Sequence, residues 1–135
     1  MNKWWVSVVA VFLSALAMAD TPRDEVTQAA LLWLQKVDGK QLQQAYDDSG
    51  TLMKNAVAFD KWSTAISSAR ASAGNVQSRD LANIESHTQF PGVPEGDYMI
   101  VKFKTKFSLK PDAQETLSFQ RESDGKYHLI GYFVR

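Results

Sequence analysis

The chain has 135 residues, enough for one domain. It contains no cysteine, which excludes disulfides, thiol catalysis and thiolate metal sites. Its 15 basic and 15 acidic residues balance, so the charge gives no reason to expect binding to nucleic acid or to an anionic membrane.

The first 19 residues have the layout of a secretory signal peptide. Lys3 gives a short positive start, and an uncharged run from Trp4 to Ala19 ends in small residues before Asp20. A membrane-spanning helix needs roughly 20 apolar residues, which is longer than this run. We therefore predict cleavage after Ala19, no stable membrane anchor afterwards, and a mature domain of residues 20–135. An exported protein without cysteine fits a bacterial periplasm.

Residues 21–74 show the three- and four-residue spacing of amphipathic helices. The first helix begins at Thr21 and ends at Gly39, and its apolar side carries Val26, Ala30, Trp33, Leu34 and Val37. A short second helix follows, with Leu42, Ala45 and Tyr46 facing inward. The segment 51–57 fits one helical turn. A third helix ends at Gly74, and its apolar side carries Phe59, Trp62, Ile66 and either Ala69 or Ala73.

From Val76 onward the apolar residues alternate, as in β-strands. Strands are predicted over Val76–Gln89, Asp97–Phe107, Glu115–Glu122 and Lys126–Arg135. In the second of these, Met99, Val101, Phe103, Thr105 and Phe107 point one way, and Lys102, Lys104 and Lys106 point the other. Helices followed by strands with short turns predict an α+β domain, with N-terminal helices packed on one face of a four-stranded antiparallel meander in a cone-like arrangement.

The last predicted strand is apolar on both sides. Strict alternation places Tyr127, Leu129 and Phe133 on one side and Ile130, Tyr132 and Val134 on the other. Either the strand is buried on both sides within the monomer, or Ile130, Tyr132 and Val134 form an interface with a second copy of the chain or with a partner protein. A strict monomer in light scattering, with this face covered inside the molecule, would contradict the interface.

The familiar sequence signatures of catalysis are missing. There is no Gly-x-Ser-x-Gly elbow, no glycine-rich phosphate loop and no His-x-x-x-His pair. We therefore predict no catalytic residue, no metal site and no cofactor. An isomerase would need a carboxylate in apolar surroundings. Asp80 and Glu85 are the candidates for that role, with Arg79 or Arg121 as their partners.

The sequence also resembles a known bacterial family. The resemblance rests on Trp62, Arg70, Gly74, Arg79, the segment PGVPEGDYMIVKFKTKF, Glu115-Thr116 and the ending DGKYHLIGYFVR. The family it resembles is domain of unknown function 4019, whose members are small and secreted. The resemblance implies no activity and no catalytic residue. The order of helices and strands is also similar to that of cone-shaped nuclear-transport-factor-like proteins, an analogy of fold that does not fix function.

These observations favour a non-catalytic periplasmic domain that binds a protein partner, a second copy of itself, or a small apolar ligand between sheet and helices. The predicted pocket is lined by Trp33, Trp62, Phe103 and Phe119, which alternatively form core alone. The other function that we consider is a small isomerase or hydrolase with a cone-shaped cavity.

Overall fold

The computed structural model describes residues 20–135, so the predicted signal peptide lies outside the described residues. The helices are α1 (Pro22–Asp38), α2 (Leu42–Asp47), α3 (Thr51–Ala56) and α4 (Phe59–Ala73). The strands are β1 (Val76–His87), β2 (Tyr98–Phe107), β3 (Ala113–Arg121) and β4 (Tyr127–Val134). The predicted α+β class and order of elements are confirmed. Within residues 20–135, no helix has the length and apolar content to cross a membrane.

The first helix begins where its sequence predicts. The backbone N–H of Asp24 donates to the Thr21 hydroxyl at 3.2 Å, and the Thr21 N–H donates back to the Asp24 carboxylate at 3.4 Å. This capping box satisfies backbone groups that lack partners inside the helix. Helix α4 begins after Ala58 with no such side-chain bond.

The four strands form one antiparallel sheet in the order β1-β2-β3-β4. Residues 88–97, 108–112 and 122–126 join consecutive strands. The strand order makes β1 and β4 the two edges. In β2, the predicted inward residues from Met99 to Phe107 are buried, whereas Lys104 and Lys106 are exposed. The predicted alternation of β2 is therefore confirmed.

One core cluster contains buried side chains from every helix and every strand. The helices contribute Val26, Ala30, Trp33, Leu34, Val37, Ala45, Met53, Trp62 and Ile66, and the sheet contributes Ile84, Met99, Val101, Phe103, Leu117, Phe119, Tyr127 and Leu129. Helices and sheet thus bury their apolar residues against each other. The other side of the sheet carries Ser78, Asp80 and the lysines of β2.

The last strand departs from strict alternation. Gly131 pairs with Ser118 and Leu129 pairs with Phe119, so Ile130 is an extra residue in a β-bulge. Because a one-residue shift moves every later side chain to the other face, Tyr132 turns to the core side opposite Leu117. Tyr132 and Val134 do lie on the face opposite Phe133, as predicted, but they share the side of Tyr127 and Leu129. The predicted grouping of Phe133 with Tyr127 and Leu129, and of Ile130 with Tyr132 and Val134, is therefore wrong.

The turn between β2 and β3 packs against the end of α4. Gly74 has φ +86° and ψ −159°, a backbone conformation that is open essentially to glycine alone. A Cβ added at Gly74 would lie 2.1 Å from the Ser108 hydroxyl oxygen. Backbone N–H groups of Ser108 and Leu109 donate to the carbonyls of Asn75 and Ala73, at 2.8 and 2.9 Å.

We expect Gly74→Ala to lower the free energy of unfolding by about 3 kcal/mol, because it adds backbone strain and a steric clash with the turn. The matched control is Gly92→Ala. Gly92 also has a positive φ, +82°, but has open space around it. The control should lose only about 1 kcal/mol in urea unfolding. Equal losses in the two variants would show that the contact with Ser108 does not matter.

Candidate functional site

A fully buried carboxylate, Glu115, lies at the centre of the candidate site. The alternation of β3 places Glu115 on the same side of the sheet as Leu117 and Phe119, and its exposed fraction is 0%. Removing a carboxylate from water costs several kcal/mol unless charged and hydrogen-bonding partners replace the solvent. The surrounding residues must therefore supply these partners.

Three side chains from the other strands provide them. Arg79 of β1 donates from Nε to Oε1 at 2.6 Å and from Nη2 to Oε2 at 3.2 Å. Thr105 of β2 donates its hydroxyl to Oε1 at 2.5 Å, and Tyr132 of β4 donates its hydroxyl to Oε2 at 2.5 Å. Each oxygen of Glu115 accepts two hydrogen bonds, and all four strands meet at this one group.

Asp38, the last residue of α1, extends these bonds to the helices. It accepts from Arg79 Nη1 at 2.8 Å and from Arg70 Nη2 of α4 at 2.6 Å. The Arg70 guanidinium lies 5.1 Å from the centre of the Phe107 ring. Its Nε and Nη1 are buried and have no hydrogen-bond partner within the part of the chain that the structure describes.

We call this set the Glu115 network; its members are Asp38, Arg70, Arg79, Thr105, Glu115 and Tyr132. Two carboxylates and two guanidinium groups make its formal charge zero. It links the two long helices to all four strands. A balanced and closely bonded network of this kind can be buried, whereas the loss of one charged member would leave another charge unpaired.

The surroundings shift the pKa of three members. Burial alone would raise the pKa of Asp38, but the hydrogen bonds and charges of Arg79 and Arg70 outweigh burial and lower it. Burial would lower the pKa of Arg79, but Asp38 and Glu115 together raise it. Burial, followed by the neighbouring charge of Glu115, raises the pKa of Tyr132 well above its usual range. The tyrosine therefore stays neutral and acts as a hydrogen-bond donor.

The profile of a family described as "Protein of unknown function (DUF4019)" matches residues 29–132. The chain belongs to this family. No curated protein matches the chain. The predicted resemblance is confirmed, and three of the residues on which it rests, Arg70, Arg79 and Glu115, are members of the Glu115 network.

The four aromatic residues of the predicted pocket all belong to the main core cluster. The Trp33 and Trp62 rings meet edge-on at 6.2 Å, and Trp33 Nε1 donates to the Ala45 carbonyl at 3.1 Å. Phe103 and Phe119 are 2% and 1% exposed. Two surface depressions, of about 420 and 400 Å³, are lined by other residues. A ligand pocket at these aromatics stays a prediction.

The predicted interface residues occupy three different environments. Tyr132 packs on Trp33, with ring centres 5.0 Å apart, and bonds to Glu115. Val134 packs against the small cluster around Phe107. Ile130 lies at the bulge, beside Gly50. Phe133, 45% exposed, is the β4 side chain that faces outward. A contact with another chain at this strand stays a prediction.

The acids considered for proton transfer lie on the side of the sheet opposite the core. Asp80 is exposed opposite Lys104. Glu85 lies opposite Ile100, and a hydrogen bond from His87 and the charge of Lys102 lower its pKa. Neither carboxylate has the apolar surroundings that an isomerase base requires.

The predicted arginine partners bind other acids. Arg79 bonds to Asp38 and Glu115, and Arg121 bonds to Asp97 at 3.0 Å and to Glu25 at 3.1 Å. The sequence analysis missed Glu115 as a buried group. A signal was present: Glu115 precedes Leu117 by two residues and Phe119 by four, so strand alternation places all three side chains on the same side of the sheet.

Across residues 20–135, no group of three or more histidine, aspartate or glutamate side chains is placed to hold a metal ion. His128 instead lies 2.7 Å from Asp124, and His87 lies 3.2 Å from Glu85.

We expect Glu115→Gln to lower the free energy of unfolding by about 3 kcal/mol, because it leaves the buried Arg79 short of a charged partner. Tyr132→Phe removes one hydrogen bond to a charged group and should cost about 1.5 kcal/mol. Asp80→Asn, at an exposed carboxyl, is the control and should change stability by less than about 0.5 kcal/mol. Urea unfolding measures all three, and a Glu115→Gln protein as stable as the control would contradict the structural role of the network.

The lowered pKa of Asp38 predicts a specific loss of stability in acid. Because its pKa is lower in the folded protein, Asp38 stabilises the fold above the ordinary aspartate pKa of about 3.9, and this contribution is lost as the pH falls through the folded value. The stability difference between the wild type and Asp38→Asn should therefore shrink as the pH is lowered from 7 to 2. Asp112→Asn, an exposed carboxyl outside the network, is the control. A difference that grows in acid would contradict this assignment.

Proposed function

We propose that this chain is an exported, non-catalytic binding module of the bacterial periplasm, and that its contacts lie on its surface rather than in its interior. The observation that carries the proposal is the state of Glu115: both oxygens of this carboxylate are used by Arg79, Thr105 and Tyr132. Its role is to hold strands together.

The same observation argues against the enzyme alternative. A cone-shaped isomerase needs a carboxylate with an oxygen directed at its substrate and within hydrogen-bond reach of it. Glu115 has the burial for this role but directs its oxygens at four donors of the fold. Displacing any of them for a substrate would leave a buried polar group without its partner, at a cost of about 1 to 3 kcal/mol each.

Export is supported by the sequence of residues 1–19. A positive start, an uncharged run and small residues before Asp20 form the pattern that signal peptidases recognise. A chain without cysteine is compatible with both the reducing cytoplasm and the oxidising periplasm. The pattern of residues 1–19 is therefore what favours export.

Exposed apolar side chains support contacts at the surface. Five large ones are exposed in the described part of the chain: Leu31, Leu32, Leu81, Leu109 and Phe133. Single exposed leucines are ordinary, but grouped apolar residues beside polar ones are typical of protein-binding surfaces. The Arg135 guanidinium lies over the Phe133 ring, 5.2 Å from the centre of that ring. In the sheet, Phe133 pairs with Thr116 of β3.

One depression favours a second candidate function, the binding of a small polar ligand. This depression, of about 420 Å³, lies on the side of the sheet opposite the core, and its charged lining residues are Asp80, Lys104, Lys106 and Asp112. Two cations beside two anions suit a zwitterionic ligand such as an amino acid better than the apolar ligand expected from the sequence.

Photo-crosslinking in living bacteria tests the proposed function. A photoreactive amino acid replaces, one at a time, Leu32, Leu81, Leu109 and Phe133, and also the exposed Lys61 of α4 as the control. A binding module should give a discrete crosslinked product from a subset of the four apolar positions and none from Lys61. The chain recovered from the periplasmic fraction should have the mass of residues 20–135.

Two outcomes would contradict the proposal. A chain that stays in the cytoplasm with its first 19 residues would remove the periplasmic assignment. A protein that gives no crosslink at any of the four positions, while free amino acids raise its melting temperature, would favour the small-ligand alternative, because a ligand specific to the native state stabilises it.

A further inference from the structure

The two edges of the sheet differ in how their backbone groups are used. At β4, the Gly50 N–H donates to the Leu129 carbonyl at 2.6 Å, and helix α3 packs beside the strand. At β1, backbone bonds within residues 20–135 run to β2, and on the free side the Arg23 Nη1 atom lies 3.5 Å from the Ile84 carbonyl. Alternate residues along the 12 residues of β1 therefore present backbone N–H and C=O groups without protein partners.

Two side chains of helix α1 reach β1. Arg23 at its start lies 3.5 Å from the Ile84 carbonyl, and Asp38 at its end bonds to Arg79, so α1 and β1 run in opposite directions. Leu81 follows Arg79 by two residues, so strand alternation places both on the same side of the sheet, where Leu81 pairs with Phe103.

The exposed apolar side chain on β1 itself is Leu81, which is 48% exposed. Leu31 and Leu32 of α1, the helix whose two ends reach β1, are 47% and 59% exposed. On the other face of the sheet, away from the core, β1 carries the carboxylates of Asp80 and Glu85.

Among protein segments, an extended strand is the one that matches a row of alternating backbone donors and acceptors. Register shifts at Val76/Ser78 and at Leu81/Asn83 interrupt the ladder for any added strand, so the regular stretches of β1 are residues 78–81 and 83–87. A second copy of β1 fits these stretches poorly because of its charges. Antiparallel pairing of two β1 strands that brought Leu81 opposite Ile84 would also bring Asp80 opposite Glu85. Like charges directly opposite each other destabilise a strand pair.

Building on the proposed binding function, we propose that the free edge of β1 accepts an extended segment of a partner protein. In this arrangement an apolar side chain of the segment packs on Leu81, and the adjacent residue, on the other face of the added strand, is basic and lies beside Asp80. Backbone hydrogen bonds supply affinity, and these two side-chain positions supply selectivity.

Synthetic peptides test this surface on the protein as purified from cells. The probe is an eight-residue peptide of alternating valine and lysine; the controls are the valine–glutamate analogue and the valine–lysine peptide with a central proline. Amide hydrogen exchange is followed residue by residue by NMR. At about ten times the dissociation constant, the valine–lysine peptide should slow exchange of the outward-facing β1 amides about tenfold. The proline peptide should not, because it lacks an N–H and cannot continue the ladder.

Two substitutions sharpen the test. Asp80→Lys should reverse the preference, so that the valine–glutamate peptide binds better than the valine–lysine peptide. Leu81→Ser should weaken binding of both. Lys61→Ser, at an exposed position of α4 outside the sheet, is the control and should leave peptide binding unchanged. Circular dichroism confirms that each variant keeps its fold.

Three results would overturn the proposed edge site. The first is protection by the peptide at residues other than β1, and the second is equal binding of the proline peptide. The third is protection of β1 without peptide that rises with protein concentration, which would make a second copy the occupant. If β1 fails these tests while Phe133 or Leu109 still gives crosslinks in cells, the binding module stands and only its edge site is wrong. If crosslinks are also missing from all four positions, both proposals fail.

Discussion

The fold depends on neutralising one carboxylate beneath the sheet. Glu115 enters the interior because the alternation of β3 leaves it no other side, and burial then requires donors from the neighbouring strands. Arg79, Thr105 and Tyr132 reach it only when all four strands are in their observed register. A slip of one residue in any strand would turn a donor to the other face. The network therefore selects one register among those that apolar packing alone would allow.

Asp38 carries this constraint into the helices. It is the last residue of α1, and it bonds to Arg79 of the sheet and to Arg70 of α4. Apolar contacts are tolerant of small sliding movements, whereas charged hydrogen bonds of 2.6 to 2.8 Å are not. The end of α1 is thereby fixed over β1, and its start is placed by the contact between Arg23 and Ile84. These bonds fix the positions of α1, α4 and β1 relative to one another.

Structural features that depend on residues a few positions apart could be predicted from the sequence, whereas contacts between residues distant in sequence could not. The capping of α1 by Thr21 and the alternation of β2 follow from neighbours a few residues apart, and both are as predicted. Arg79, the charged partner of Glu115, by contrast, lies 36 residues away in sequence. The spacing of apolar residues gives no indication of which residue binds Glu115. The predicted faces of β4 were wrong because a single bulged residue, Ile130, reverses the alternation of the side chains that follow it. Gly131 was the one local sign of that irregularity, since glycine inside a strand often marks a bulge.

The rigid interior also bears on how the free edge would bind. Strand addition fails on an edge that fluctuates, because ordering the receiving strand would consume part of the binding free energy. Arg79 lies within β1 and is held by Glu115 on one side and Asp38 on the other, so the residue next to Asp80 and close to Leu81 is already fixed before any partner arrives. The same network that uses both oxygens of Glu115 thus also holds β1 in place as a preorganised edge. On this reasoning, Glu115→Gln should weaken peptide binding at β1 as well as stability, although residue 115 lies in β3 and acts on the edge strand through Arg79.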